Sequence, residues 1–118
     1  LSNRTRERAE NIKKIYSDLK ILDWGEIPIF DIIVNATSLG LKKEDKIELN
    51  LTNSGQDKLF YDVIYNSGMT NFLMEGKKLG NKVKNGKMMF IYQAQLAFNI
   101  WHNILPKIDN ETIDLFNS

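Results

Sequence analysis

Asp31-Ile32-Ile33-Val34-Asn35-Ala36-Thr37-Ser38 carries an apolar, β-branched run, Ile32 to Val34, and ends on small polar residues. A short apolar run that does not alternate predicts a strand buried on both faces over Asp31–Val34, and Asn-Ala-Thr-Ser is the loop that stops it. The pattern recurs at Leu59 to Ile64, a second strand that runs into Tyr65-Asn66. Lys82 to Lys84 is a third, edge strand. Helical spacings lie between these strands. Ala9, Ile12, Ile15, Tyr16 and Leu19 recur every three or four residues and predict a helix from about Thr5 to Leu19. Thr5 is placed to cap it, and Glu7 sits favourably in its first turn. Met69 to Leu79 is a second helix, with Thr70 near its start and Gly80 just past its end. Met88 to Leu105 is a long helix ended by Pro106, with Met89, Tyr92, Gln93, Leu96, Ala97, Ile100 and Trp101 on or beside one stripe. Asn110 to Phe116 is a last short helix, and the polar stretch Leu39 to Lys58 is a loop with one helical turn at most.

Strands alternating with helices imply an α/β fold with a parallel sheet and right-handed crossovers. In such sheets ligands bind outside the carboxyl ends of the strands. That rule selects Asn3-Arg4-Thr5, Asn35-Ala36-Thr37, Tyr65-Asn66 and the helix start near Gly86, before any likeness is considered.

Composition narrows the function. The 118 residues fit one small domain, and 42% hydrophobic content suffices for a packed core. Sixteen basic and fifteen acidic residues leave a net charge of +1, which gives no electrostatic case for nucleic acid or an anionic membrane. Cysteine is absent, so disulfides and thiolate metal sites are excluded. His102, the lone histidine, follows a Trp near a helix end and has no partner for a metal site. No apolar run approaches a membrane span. A cytoplasmic setting is the expectation, and the chain reads as a piece of a longer protein.

Asn3-Arg4-Thr5-x-x-Arg8 is the sharpest local motif. If Leu1-Ser2 is the tail of a strand, Arg4 stands at a strand-to-helix turn. In a dinucleotide fold that turn meets the adenosine ribose, and an Arg there suits a 2′-phosphate where an acidic residue suits a free hydroxyl. Guanidinium grips phosphate through paired bonds and keeps its charge. The competing reading is a solvated basic helix start. None of the seven glycines makes G-x-G, so a pyrophosphate loop is not in this chain. Ala36 and Thr37 would let a flat ring approach the backbone, or would simply form a polar turn. Tyr65 would stack beside a small substrate or hydrogen-bond to it, whereas Asp62, inside an apolar strand, reads as structural. Gly86 permits close approach at a helix start. Gln93, among apolar neighbours, is expected to be a buried amide in need of partners. Met88, Met89, Phe90, Phe98 and Trp101 are expected in the core.

The ordered set N-R-T-x-x-R, D-x-I-x-N-A-T, Y-D-x-x-Y-N with a later T, N-G with M and Q, and A-F-x-x-W resembles shikimate dehydrogenase. Here these are Asn3 to Arg8, Asp31 to Thr37, Tyr61 to Thr70, Asn85 to Gln93, and Ala97 to Trp101. The resemblance spans nearly the whole chain. It implies a partial Rossmann-like three-layer α/β/α domain lacking its first β-α-β unit, with residues 1–118 as the C-terminal portion of an NADP-binding domain. It implies reversible, NADPH-dependent reduction of 3-dehydroshikimate to shikimate in aromatic amino-acid biosynthesis. By the same resemblance Asn3, Arg4, Thr5 and Arg8 hold the 2′-phosphate, Ala36 and Thr37 line the cofactor, Val63 and Gly86 meet the nicotinamide, and Tyr65 and Gln93 touch shikimate. The family's catalytic Lys–Asp pair and Gly-rich loop belong to a missing N-terminal part, so the piece alone is expected to be inactive. Two departures are Ser67, where relatives often have Pro, and Lys87-Met88, where Leu-Gly is common. A quinate-using enzyme and a non-catalytic nucleotide-binding module stay open as alternatives, and a homodimer is among the assemblies allowed.

Overall fold

The computed structural model describes residues 1–65 and 68–116. The elements run α1 (Arg6–Ile15), β1 (Ile32–Asn35), β2 (Leu59–Asp62), α2 (Asn71–Lys78), β3 (Lys82–Lys84), α3 (Lys87–His102) and α4 (Asn110–Asp114). The three strands form one parallel sheet in the order β1-β2-β3, with Asn35 opposite Asp62 and Phe60 opposite Val83. The expected α/β class with parallel strands is what forms.

The core lies on one face of this sheet. Leu51, Phe60, Phe72 and Leu73 are its buried centre, with Ile27, Phe30, Ile33, Ile47 and Leu49 packed against them. Helix α2 covers that face. Its Gly76 makes the approach possible, because a Cβ there would stand 2.6 Å from the Phe60 ring. Glycine inside a helix costs about 1 kcal/mol relative to alanine, and here the missing methyl is the space the Phe60 ring occupies. Thr70 caps α2, its hydroxyl accepting from the Leu73 N–H. Gly80, at φ +83, turns the chain out of α2 toward β3.

Several element ends differ from the sequence expectation. Helix α1 stops at Ile15, not Leu19, since Tyr16 leaves helical geometry just before Ser17-Asp18, two poor helix formers. Thr5 occupies the cap position, but its side chain makes no capping bond; Asn3 Oδ1 instead accepts from the Thr5 N–H at 2.9 Å. Helix α3 closes at His102, because Asn103 takes the left-handed conformation at φ 52 well before Pro106. Helix α4 spans only Asn110–Asp114, and β2 ends at Asp62.

Leu1 pairs with a segment that sequence reading passes over. Its N–H donates to the Lys20 carbonyl at 2.7 Å, and its carbonyl accepts from the Leu22 N–H at 2.9 Å. This is the hydrogen-bond pattern of a parallel ladder. It sets the entry to the Asn3-Arg4-Thr5 turn alongside a second extended segment.

Much apolar surface is open. β1 is not buried on both faces as expected: Ile32 and Val34 are 59% and 53% exposed, because no described element packs there. Phe98 and Trp101, expected in the core, are 41% and 77% exposed for the same reason, while Met88, Met89 and Phe90 are half-buried. Of the α1 stripe only Ala9 is buried. The radius of gyration is 16.6 Å, against about 13.5 Å for a compact domain of this length.

Candidate nucleotide-binding site

A cavity of about 510 Å³ opens beside the carboxyl end of β1, within the size range of small-ligand sites. Its walls come from three directions. Ser2, Asn3, Arg4, Thr5 and Arg8 line it from the start of α1; Ala36, Thr37, Ser38 and Leu39 line it from the loop after β1; Trp24, Lys46 and Glu48 complete it. The structure therefore brings together Asn3, Arg4, Thr5 and Arg8, expected at the adenosine 2′-phosphate, with Ala36 and Thr37, expected to line the cofactor.

The chemistry of that wall suits an anion. Arg4 and Arg8 are exposed and, among the described residues, form no ion pair with a carboxylate. Arg6 differs, pairing with Glu10 at 3.0 Å and with Asp23. The amino end of α1 adds helix N–H groups and the positive end of its dipole. Three cationic side chains against one carboxylate, Glu48, leave the cavity lining positive.

The loop after β1 is held by its own hydrogen bonds. Asn35 is buried, and its Oδ1 accepts from the Thr37 N–H at 3.0 Å and the Thr37 hydroxyl at 2.7 Å. Thr37 Oγ1 in turn accepts from the Leu39 N–H. The turn leaves Ala36 exposed at the cavity, the smallest side chain on that wall. Across the sheet Asp62, fully buried, accepts from Asn35 Nδ2 at 3.1 Å, from the Ile64 N–H at 3.0 Å and from the Thr70 hydroxyl at 2.6 Å. One carboxylate thus ties the ends of β1 and β2 to the start of α2.

Val63 and Gly86 meet at the next strand end. Gly86 is buried, and its N–H donates to the Ile64 carbonyl at 3.0 Å. A Cβ at Gly86 would fall 1.9 Å from the Val63 carbonyl oxygen, so only glycine fits. Tyr65 is half-exposed, its ring stacked on Phe90 at a centroid distance of 4.3 Å. Phe90 is also met edge-on by Phe116. Gln93 is exposed, not the buried amide expected; α3 turns that side away from the described residues. Val63, Tyr65, Gly86 and Gln93 lie outside the cavity lining; Val63 and Gly86 form a ledge at the strand end, and Gln93 is not brought to it. The expected positions Asn66 and Ser67 lie outside the described residues.

Sequence reading missed Trp24, Lys46 and Glu48. The signals were present: Trp24-Gly25 marks a tight turn, and Lys46-Ile47-Glu48-Leu49 alternates polar and apolar. Ile47 and Leu49 take the core side, and Lys46 and Glu48 face the cavity.

No protein-family model matches the chain. Over 117 residues it is 56% identical to the shikimate dehydrogenase (NADP(+)) of Pelagibacter ubique, covering 99% of this chain and 44% of that relative. The chain matches one part of shikimate dehydrogenase. The solved shikimate dehydrogenase of Thermus thermophilus, in complex with shikimate, superposes with a TM-score of 0.77 at 28% identity over 98% of this chain and 42% of its own. Another shikimate dehydrogenase, solved in complex with NADP+, gives a TM-score of 0.75 at 30% identity over 98% of this chain and 44% of its own. The chain thus spans less than half the length of the shikimate dehydrogenases it matches.

Proposed function

We propose that this chain is the C-terminal portion of the NADP-binding domain of an NADP-dependent shikimate dehydrogenase, which reversibly reduces 3-dehydroshikimate to shikimate in aromatic amino-acid biosynthesis. The observation that carries the reading is 56% identity over 117 residues to an enzyme of that name. The cavity chemistry agrees with it. Arg4 and Arg8, with Asn3 and Thr5, would hold the adenosine 2′-phosphate at the amino end of α1. Each charge-assisted bond contributes about 1.5–3 kcal/mol, enough for roughly tenfold or greater preference over NAD. Ala36 and Thr37 would line the cofactor. Val63 and Gly86 would form the ledge under its nicotinamide, and Tyr65 and Gln93 would contact the substrate hydroxyls. NADPH, when bound, supplies the hydride; this chain's residues bind and orient.

The open faces of β1, α1 and α3 agree with packing against the rest of the protein. That remainder would bring the phosphate loop and the proton-transfer residues, so this chain alone should be inactive. Among the described residues no helix is long and apolar enough to cross a membrane. The cytoplasmic location we propose rests on the biosynthetic-enzyme reading and not on that absence.

The test is turnover by the full-length protein with shikimate or quinate and NADP+ or NAD+. Shikimate-dependent NADP+ reduction is expected to dominate. No turnover with any pair, from folded protein, would overturn the enzyme reading and leave a nucleotide-binding module.

A further inference from the structure

Trp24 is half-buried, yet it belongs to neither the buried core cluster nor the apolar residues packed against it. Among the described residues it has no aromatic partner. Among the described residues it is the one aromatic side chain lining the cavity that holds Arg4 and Arg8. A large indole left out of the core beside a cationic groove is suited to a flat ligand ring.

Its position is fixed by construction. Asp23 to Glu26 is a tight turn, closed by the Glu26 N–H donating to the Asp23 carbonyl at 3.1 Å, with Gly25 at φ +96. Positive φ at the third residue is the signature of a type II turn, with Trp24 at its second position. The turn is pinned to the anion-binding segment at two points. The Ser2 hydroxyl donates to the Asp23 carbonyl at 3.3 Å, and Arg6 pairs with the Asp23 carboxylate. Ser2 and Arg6 bracket Asn3-Arg4-Thr5, so the indole and Arg4 are carried by one braced unit.

We infer that Trp24 is the platform on which the adenine ring of the dinucleotide stacks, making it a binding residue for the base, distinct from the arginines that read the phosphate. The inference rests on the NADP reading above. Stacking senses the base and is indifferent to the 2′-phosphate; the arginines sense the phosphate. The two contributions are therefore separable.

The experiment is calorimetric binding of 2′,5′-ADP and of 5′-ADP to the full-length protein and to its Trp24→Ala and Trp24→Phe variants. Trp24→Ala should weaken both ligands by the same factor, about tenfold for loss of one base–aromatic stack. Trp24→Phe should recover most of that loss. Shikimate binding, measured in parallel, should be unchanged and shows that the variants are folded. Unchanged 2′,5′-ADP affinity in Trp24→Ala overturns the inference alone. So does a loss confined to 2′,5′-ADP, which would mean that Trp24 acts only by bracing the arginines. A wild-type protein that binds neither nucleotide overturns the NADP reading and this inference with it.

Discussion

Asn35 and Asp62 are register partners at the carboxyl ends of adjacent parallel strands, and the Asn35 amide donates to the Asp62 carboxylate at 3.1 Å. The same carboxylate takes the Ile64 N–H and the Thr70 hydroxyl. Removing it strands three buried donors. Asp62→Ala in the full-length protein should therefore lower unfolding stability by about 3 kcal/mol or more, at about 1–3 kcal/mol per orphaned group. Asp62→Asn keeps one acceptor for Asn35 and Ile64 and lets the Thr70 hydroxyl rotate to accept, so its cost should be about 1 kcal/mol. Denaturant melts distinguish the two. If Asp62→Asn left stability intact but abolished turnover, the residue would be a proton-transfer group and its structural assignment would fall.

The arginine wall gives a cofactor prediction. Arg4→Asp places a carboxylate where a 2′-phosphate would lie and offers an acceptor to a free ribose hydroxyl. Binding of NADP+ should weaken by a factor of about 100, one charge-assisted pair lost and one repulsion gained, while NAD+ binding holds or improves. Titration of both cofactors against the variant decides. An equal loss for the two would show that Arg4 supports the turn and does not read the phosphate.

The end of β1 was legible in the sequence because its apolar run stops abruptly on Asn-Ala-Thr, and a parallel sheet collects such stops on one edge; the end of β2 was read at Ile64 and not at Asp62 because Val63-Ile64 continues the apolar run. Arg4, Arg8, Ala36 and Thr37 accordingly fall around one cavity. The ladder between Leu1 and the Lys20–Leu22 segment was not legible, since two apolar residues at Ile21-Leu22 are too few to carry a period. Trp24 and Lys46 were missed because they stand on irregular segments whose direction depends on the turn before them. For α3 the apolar stripe was read correctly but its burial was not. Periodicity says that a face requires cover, and Trp101, 77% exposed, shows that none of the described elements supplies it.

Gly86 is constrained by space and not by conformation, its φ being −76. Alanine there drives a methyl into the Val63 carbonyl, where a Cβ would sit at 1.9 Å. The start of α3 must shift away from β2, at an overpacking cost of about 1–3 kcal/mol. The shift displaces the ledge assigned to the nicotinamide, so Gly86→Ala should lose more in kcat than in 2′,5′-ADP affinity. Equal 2′,5′-ADP binding with undiminished turnover would count against any role for this contact in the site.

Tyr65 presents its phenol from a ring stacked on Phe90. Tyr65→Phe keeps the stack and removes only the hydroxyl, whereas Tyr65→Ala removes both. The first should raise KM for shikimate by about tenfold, the worth of one hydrogen bond, with NADP+ binding untouched. Tyr65→Ala should additionally lower the melting temperature through loss of the aromatic pair. Steady-state kinetics with a parallel melt separates the two contributions; an unchanged KM in Tyr65→Phe removes the phenol from the substrate site.

Asp45 makes the loop behind the cavity sensitive to acid. Its carboxylate accepts from the Lys42 N–H at 3.0 Å and the Gly40 N–H at 3.1 Å, and these bonds hold its pKa below the ordinary carboxylate value. A carboxyl whose folded pKa is depressed stabilises the fold above its unfolded pKa and loses that contribution as pH falls through the folded value. The loop at Gly40 to Asp45 should thus stay closed at neutral pH and loosen below about pH 4. Asn71, the first residue of α2, holds the same loop through the Lys43 and Asp45 carbonyls, bonds that do not titrate. Loosening should therefore be confined to the Gly40–Lys42 side, which continues from Ser38 and Leu39 at the cavity wall. Amide exchange of Lys42, expressed as a protection factor from pH 6 to pH 3, reads this directly. Protection should fall in the wild type and be low and pH-independent in Asp45→Ala; a wild-type protection factor that stayed flat to pH 3 would show that the carboxylate does not hold the loop.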